Sequence, residues 1–133
     1  LDLRFYLRGK FGHDILNTMA RSYGNKTSKT NLLRSAFDKY AQIKGGYMYS
    51  DYYLEPGDFV KLDEVTLGYN FDFNSSYIRG LRLYITGQNL ATFTKYTGND
   101  PDFIQDLGLG AGIDSRGPYP STSSILIGLN LGF

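Results

Sequence analysis

Four stretches of this chain alternate apolar and polar residues with a period of two, and the last of them runs to the final residue. Such alternation sends one kind of side chain to each face of a β-strand. In the first stretch Leu1, Leu3, Phe5 and Leu7 oppose Asp2, Arg4, Tyr6 and Arg8. In the second, Val65, Leu67, Tyr69, Phe71 and Phe73 oppose Glu64, Thr66, Gly68, Asn70 and Asp72. In the third, Leu81, Leu83 and Ile85 oppose Arg82, Tyr84 and Thr86, and the alternation slips near Gln88-Asn89-Leu90, as a β-bulge would make it. The fourth sets Ile125, Ile127, Leu129, Leu131 and Phe133 on one face. Soluble domains avoid ending on such a strand, because termini fray and apolar strand edges aggregate.

The periodicity predicts an all-β, antiparallel fold with strands at 1–11, 59–73, 81–96 and 122–133. The connections are unequal: 74–80 is short, whereas 12–58 and 97–121 are long. Outer-membrane barrels combine short periplasmic turns with long extracellular loops. Assigning 74–80 to the periplasm makes 12–58 and 97–121 outer loops and brings the C-terminus to the periplasm. Lys61 and Asp63 share the parity of Val65 and Leu67. A basic residue at the midplane of a barrel's lipid face costs about 2–4 kcal/mol, so this end of the strand is expected outside the hydrocarbon. Within the first long connection, Leu32, Leu33, Phe37, Tyr40 and Ile43 recur at helical steps and predict a short helix over 30–43, capped by Thr30 or Asn31. The pattern alone leaves two readings open, a membrane-barrel wall and half of a soluble β-sandwich.

Composition narrows the function classes. A net charge of +1 over 133 residues, with basic residues scattered singly, gives no electrostatic case for nucleic acid. The absence of cysteine excludes disulfides and thiolate metal sites, and the single His13 reads as a polar loop residue. Tyrosine (12), phenylalanine (9) and glycine (16) are abundant, as in antiparallel β structure and in barrels whose aromatics form interfacial girdles. No apolar run approaches the length of a transmembrane helix. The chain starts at Leu1 with the alternation already under way, as a piece of a longer protein would.

Four motifs in order then carry a resemblance. "DYYLEPGDFVKLDEVTLGYNFD" is similar to the segment that opens the last strands of SusC/RagA-family TonB-dependent outer-membrane transporters of the Bacteroidetes type, through Gly57-Asp58, Phe59, Lys61-Leu62 and Val65 to Tyr69. "GQNLATFTKYTGNDPDF" resembles the family's Asn-Leu, Thr-x-Thr-Lys-Tyr and Asp-Pro stretch at Asn89-Leu90, Thr92 to Tyr96 and Asp100-Pro101. "GIDSRGPYP" is similar to the approach to the last strand, and "RGKFGHDILN" to the pattern that follows an earlier one. The resemblance implies the C-terminal segment of a large transmembrane β-barrel with about 22 strands and a plugged lumen. It implies a nutrient importer for glycans or peptides in the Gram-negative outer membrane, paired with a SusD-like surface lipoprotein and energised by TonB through an N-terminal part absent here. A soluble β-rich carbohydrate-binding or structural domain is the alternative.

Site expectations follow. Tyr47, Tyr49, Tyr52, Tyr53 and Tyr96 lie in or near the long connections and are candidate ligand or partner contacts, because tyrosine offers rigid amphipathic area. On the lumenal parity, Glu64, Asn70, Arg82, Tyr84, Thr86 and Gln88 are expected to hydrogen-bond along the wall. Asp100, Asp102 and Asp114 offer the hard oxygens calcium takes, but Asp-Pro-Asp reads more simply as a turn, so no metal or other cofactor is expected. Adjacent carboxylates such as Asp63 and Glu64 point to opposite faces, and nothing resembles a catalytic motif, so no catalytic residue and no enzyme activity are expected. "NKT" at 25 and "NSS" at 74 read as chance matches to the glycosylation acceptor pattern. The resemblance gives Phe133 the role of a terminal aromatic read by the barrel-assembly machinery.

Overall fold

The computed structural model describes residues 1–27, 29–45, 50–73, 77–103, 110–115, 117 and 119–133. In chain order the elements are β1 (Asp2–Lys10), β2 (Asp14–Asn17), α1 (Thr18–Tyr23), β3 (Leu54–Pro56), β4 (Phe59–Phe71), β5 (Gly80–Thr94), β6 (Ile113–Asp114) and β7 (Ser124–Gly132). Single 3-10 turns lie at Arg34–Ala36 and Asp51–Tyr53. The chain divides into two compact units. One comprises Leu1–Gly9, Val60–Phe93 and Ser121–Phe133; the other comprises Lys10–Phe59 and Thr94–Pro120.

The first unit is a four-stranded sheet in the order β1-β4-β5-β7. The β5–β7 pair is antiparallel over an unbroken ladder from Gly80↔Gly132 to Gln88↔Ser124. The ladder stops at Asn89, whose φ of 51° is left-handed. Asparagine tolerates that conformation, and it marks the bulge where the sequence alternation slips. Asn89 Nδ2 donates to the Thr122 carbonyl at 3.0 Å, and Ser123 Oγ donates to the Asn89 carbonyl at 2.6 Å. Across β4 and β5, the Thr66 and Thr86 hydroxyls meet at 2.8 Å and Arg82 reaches Asn70. Rising numbers on one strand meeting falling numbers on the other are what antiparallel pairing requires.

The second unit is built from the two long connections. Its three-stranded sheet runs β3-β2-β6, with β2 antiparallel to β3 and parallel to β6. Helix α1 follows β2 directly. The Asn17 side chain caps it by accepting from Ala20 N at 2.8 Å. At its other end the Gly24 N–H returns to the Ala20 carbonyl, and a Cβ on Gly24 would lie 2.3 Å from that oxygen. Ala20, Tyr40 and Tyr53 form the buried apolar cluster, with Leu16 and Ile43 against it and the two tyrosine rings 5.3 Å apart.

The helix expected over 30–43 is corrected. Residues 34–36 make one 3-10 turn, and Ala36, Phe37, Ala41 and Ile43 each bond three residues back rather than four. No side chain caps the start. Ala36 and Tyr40 turn inward while Phe37 stays exposed, so the expected apolar ridge through Phe37 does not form. Among the described residues no helix is long and apolar enough to cross a membrane, which leaves crossing by strands untouched.

Candidate functional site

Two regions, one in each unit, concentrate the unusual physical chemistry. The first is the four-stranded sheet. Its register puts Leu81, Leu83 and Ile85 opposite Leu131, Leu129 and Ile127 on one face. Leu67, Tyr69 and Phe71 continue that face on β4. Leu1, Leu67, Tyr69, Leu83, Ile85 and Ile127 line one shallow groove, which places β1's apolar parity on the same side. These side chains are left open; Ile127 is 81% exposed. Contiguous apolar surface on this scale is rare on a soluble monomer and marks a membrane or partner surface. Strand β7 has nine residues. At about 3.3 Å each this is roughly 30 Å of strand, and tilting reduces it to near the roughly 25 Å apolar band of outer-membrane barrels.

The opposite face is polar and knitted. Arg82 Nη2 donates to Asp2 Oδ2 at 2.7 Å and Nη1 reaches Asn70 at 3.4 Å. This pair lies over Gly68, where a Cβ would come within 2.6 Å of Arg82 and 2.8 Å of Asp2. Thr66 and Thr86 pair, Thr66 also donates to Glu64, and Ser124 Oγ meets Gln88 Oε1 at 3.4 Å. Tyr84 lays its ring over Gly128, leaving no room for a Cβ there. Of the residues read as lumenal, Glu64, Asn70, Arg82, Thr86 and Gln88 thus hydrogen-bond to neighbours on this sheet. At the other end of β4, Asp63 forms an ion pair with Arg8 at 2.8 Å, and Lys61 is buried.

The second region is a buried polar junction centred on Glu55, which is 2% exposed. Its carboxylate accepts from Thr97 N at 2.9 Å, Thr97 Oγ1 at 2.8 Å, Lys39 Nζ at 3.0 Å and Tyr40 Oη at 3.0 Å. Asn17 Nδ2 reaches both Glu55 and Thr97, at 3.5 and 3.4 Å. Beside it the Tyr96 hydroxyl donates to Asp114, whose carbonyl accepts from Thr18 Oγ1 at 2.5 Å. Burial alone would push the Glu55 carboxyl up. The Thr97 N–H and hydroxyl, with Lys39 and Tyr40, outweigh it and hold the group below the usual carboxylate value. Burial, then the bond to Asp114, pushes the Tyr96 phenol far up. Lys39 is raised: burial opposes its charge, and the bond to Glu55 prevails.

The tyrosines expected as contacts separate. Tyr52 is 61% exposed, whereas Tyr53 (2%) and Tyr96 (5%) are interior, one in the apolar cluster and one in the junction. Tyr47 and Tyr49 lie outside the described residues. Phe133 stands exposed beyond the end of β7. Asp100 accepts from the Asp102 N–H at 2.9 Å, the turn read from Asp-Pro-Asp, while Asp114 turns to Tyr96 and Thr18. Among the described residues no three acidic or histidine side chains gather around a metal-sized space. His13 packs against Gly57 and stands edge-on to Phe59. Asn25 is buried, its amide donating to the Gly45 carbonyl at 2.9 Å, and Asn74 lies outside the described residues. Sequence reasoning missed Asn17, Glu55 and Thr97 as a group. Each stands in a different one of the recognised motifs, which was the available signal.

No family model matches the chain. Among curated proteins it is 37% identical, over 68% of its length, to the TonB-dependent receptor SusC of Bacteroides thetaiotaomicron. It is 28% identical, over 99% of its length, to the TonB-dependent receptor P3 of Formosa agariphila. It spans only 9% and 15% of these two relatives. A solved structure of the RagAB peptide transporter superposes on 98% of the chain with a TM-score of 0.77 at 20% identity, a likeness of fold, and the chain covers 16% of that structure's. With the open apolar sheet and the four motifs, these matches make this chain a segment of a SusC/RagA-family TonB-dependent receptor.

Proposed function

We propose that this chain is the C-terminal wall segment, with two outer loops, of an outer-membrane importer energised through TonB. The observation that carries the reading is the sheet with one largely apolar face and one hydrogen-bonded polar face. A barrel needs that division, with alternate residues meeting lipid and lumen. The short connection 74–80 then lies in the periplasm with Phe133, and the long connections lie outside. Segments beyond this chain would supply the plug, the TonB contact and the strands that close the edges of β1 and β7. Phe133, at the periplasmic interface, would serve as the assembly signal.

The partner in this reading is a SusD-like surface lipoprotein, and the cargo is a glycan fragment or peptide. Of the loop tyrosines, Tyr52 has the free ring face such a contact needs, and Tyr47 and Tyr49 remain candidates. The chain contributes positioning and a path, with no bond-making step. The test uses the absence of cysteine in this chain. Single cysteines at positions 126 to 131 of the full-length receptor, made otherwise free of reactive thiols, are labelled in intact membranes. Positions 127, 129 and 131 should react only with a lipid-soluble maleimide, and 128 and 130 with a water-soluble one. Uniform labelling by the water-soluble reagent would support the soluble-domain alternative instead.

A further inference from the structure

The two long connections are far apart in sequence. In this structure they share one sheet and one buried junction. Strand β2, from the first connection, pairs on one side with β3 and on the other with β6, from the second connection. Leu16 N also donates to the Gly112 carbonyl at 2.8 Å. Between them sits Glu55, one carboxylate that accepts from Lys39 and Tyr40 on its own connection and from Thr97 on the other. Thr18 to Asp114 and Asn17 to Thr97 cross the same divide.

We propose that Glu55 is the clasp of a single loop body, so that the two long connections open together, as one element. The reason is the cost of partial release. If one connection withdrew alone, the buried Glu55 carboxylate would lose both Thr97 donors, the N–H and the hydroxyl, and the helix-capping Asn17 would lose its contact with Thr97. Opening both exposes the whole junction to water at once, and among the described residues the second connection contributes no side chain to the buried Ala20, Tyr40 and Tyr53 cluster that could hold it half-open. The apolar cluster, Ala20, Tyr40 and Tyr53, lies wholly in the first connection, so the junction between connections is chiefly polar. Glu55 acts by positioning others.

Limited proteolysis of the purified full-length receptor in detergent tests this, with cleavage sites mapped by mass spectrometry. Heat-dependent gel migration reports that the barrel remains assembled. Glu55→Ala should raise cleavage in both connections together, by on the order of tenfold or more. A disulfide between Leu16→Cys and Ile113→Cys, which are partners across β2 and β6, should restore protection to both. If Glu55→Ala prevents assembly, Thr97→Val and Tyr40→Phe are read in the assembled receptor instead and should raise cleavage in both connections. Cleavage of one connection alone, unchanged cleavage in the assembled variants, or a formed disulfide that restores nothing would each overturn the clasp. Transport is not measured, so failure of the clasp and failure of the importer reading are separate results.

Discussion

The two units obey opposite rules about what goes inside. The sheet unit turns its leucines and isoleucines outward and keeps Arg82, Asp2, Thr66 and Thr86 in contact on the other face. The loop unit hides Glu55, Asn17 and Asp114 beside a small apolar cluster of Ala20, Tyr40 and Tyr53. The first depends on its solvent, because its apolar face is stable only against lipid or an equivalent surface. The second depends on geometry, because buried polar groups stabilise only when every partner is in place. Two units with such different requirements in one chain are therefore vulnerable to different insults.

The sharpest way to break this contrast is a charge on the lipid side. Ile127→Arg should cost the full-length receptor about 2–4 kcal/mol of folding free energy in bilayers, measured by denaturant titration in vesicles. On a water-facing strand the same exposed position would tolerate arginine within about 0.5 kcal/mol, and that outcome would remove the membrane assignment of β7.

Next comes the loop body. Glu55→Gln keeps the shape and removes the charge, and should cost about 2 kcal/mol. Acid should do the same. The folded carboxyl lies below its unfolded value, so its contribution is complete above the ordinary carboxylate range and fades as pH falls through that range and below it. Hydrogen exchange of the connections should accelerate at low pH in the parent and much less in Glu55→Gln. Equal acceleration in both would place the acid-sensitive group elsewhere.

Two glycines make a finer comparison. A Cβ on Gly98 would lie 2.3 Å from the Tyr96 hydroxyl, and one on Gly128 would lie 2.1 Å from Tyr84 Cζ. Tyr96 is buried and tied to Asp114, whereas Tyr84 is half-exposed and can swing. Gly98→Ala should therefore cost about 1–3 kcal/mol and Gly128→Ala clearly less, by thermal denaturation of the assembled receptor. The reverse order would show that the wall, not the loop body, is the more tightly packed region. Smallest of all, Thr86→Val should cost about 1 kcal/mol, because Thr66 keeps Glu64 as a partner. A loss several times larger would mean that the polar face is as cooperative as the junction.

What was legible in the sequence follows the range of the interactions. The long strands lie on the alternating segments because parity is a local property, and even the bulge at Asn89 showed as a slip in the pattern. The helix misread over 30–43 came from counting Phe37 as a core position when it faces solvent. Helix α1 escaped notice because six mostly small or polar residues carry no periodicity. The junction was invisible for another reason. Asn17, Glu55 and Thr97 are separated by 38, 42 and 80 positions, and no local pattern links them. Tyr53 and Tyr96 looked like surface aromatics for the same reason, since the groups that enclose them come from distant parts of the chain.

The bulge at Asn89 also bears on how such a chain can change in length. Hairpin register is usually dictated by the turn, and an added residue there slides one strand past the other. Here the connection between β5 and β7 is far too long to dictate anything. The alignment of β7 is set instead where it starts, by the reciprocal bonds of Asn89 with Thr122 and Ser123. Insertions and deletions upstream of that pin would leave Ile125, Ile127, Leu129 and Leu131 facing the same way. The connecting segment is thereby free to diversify in size without moving the sheet.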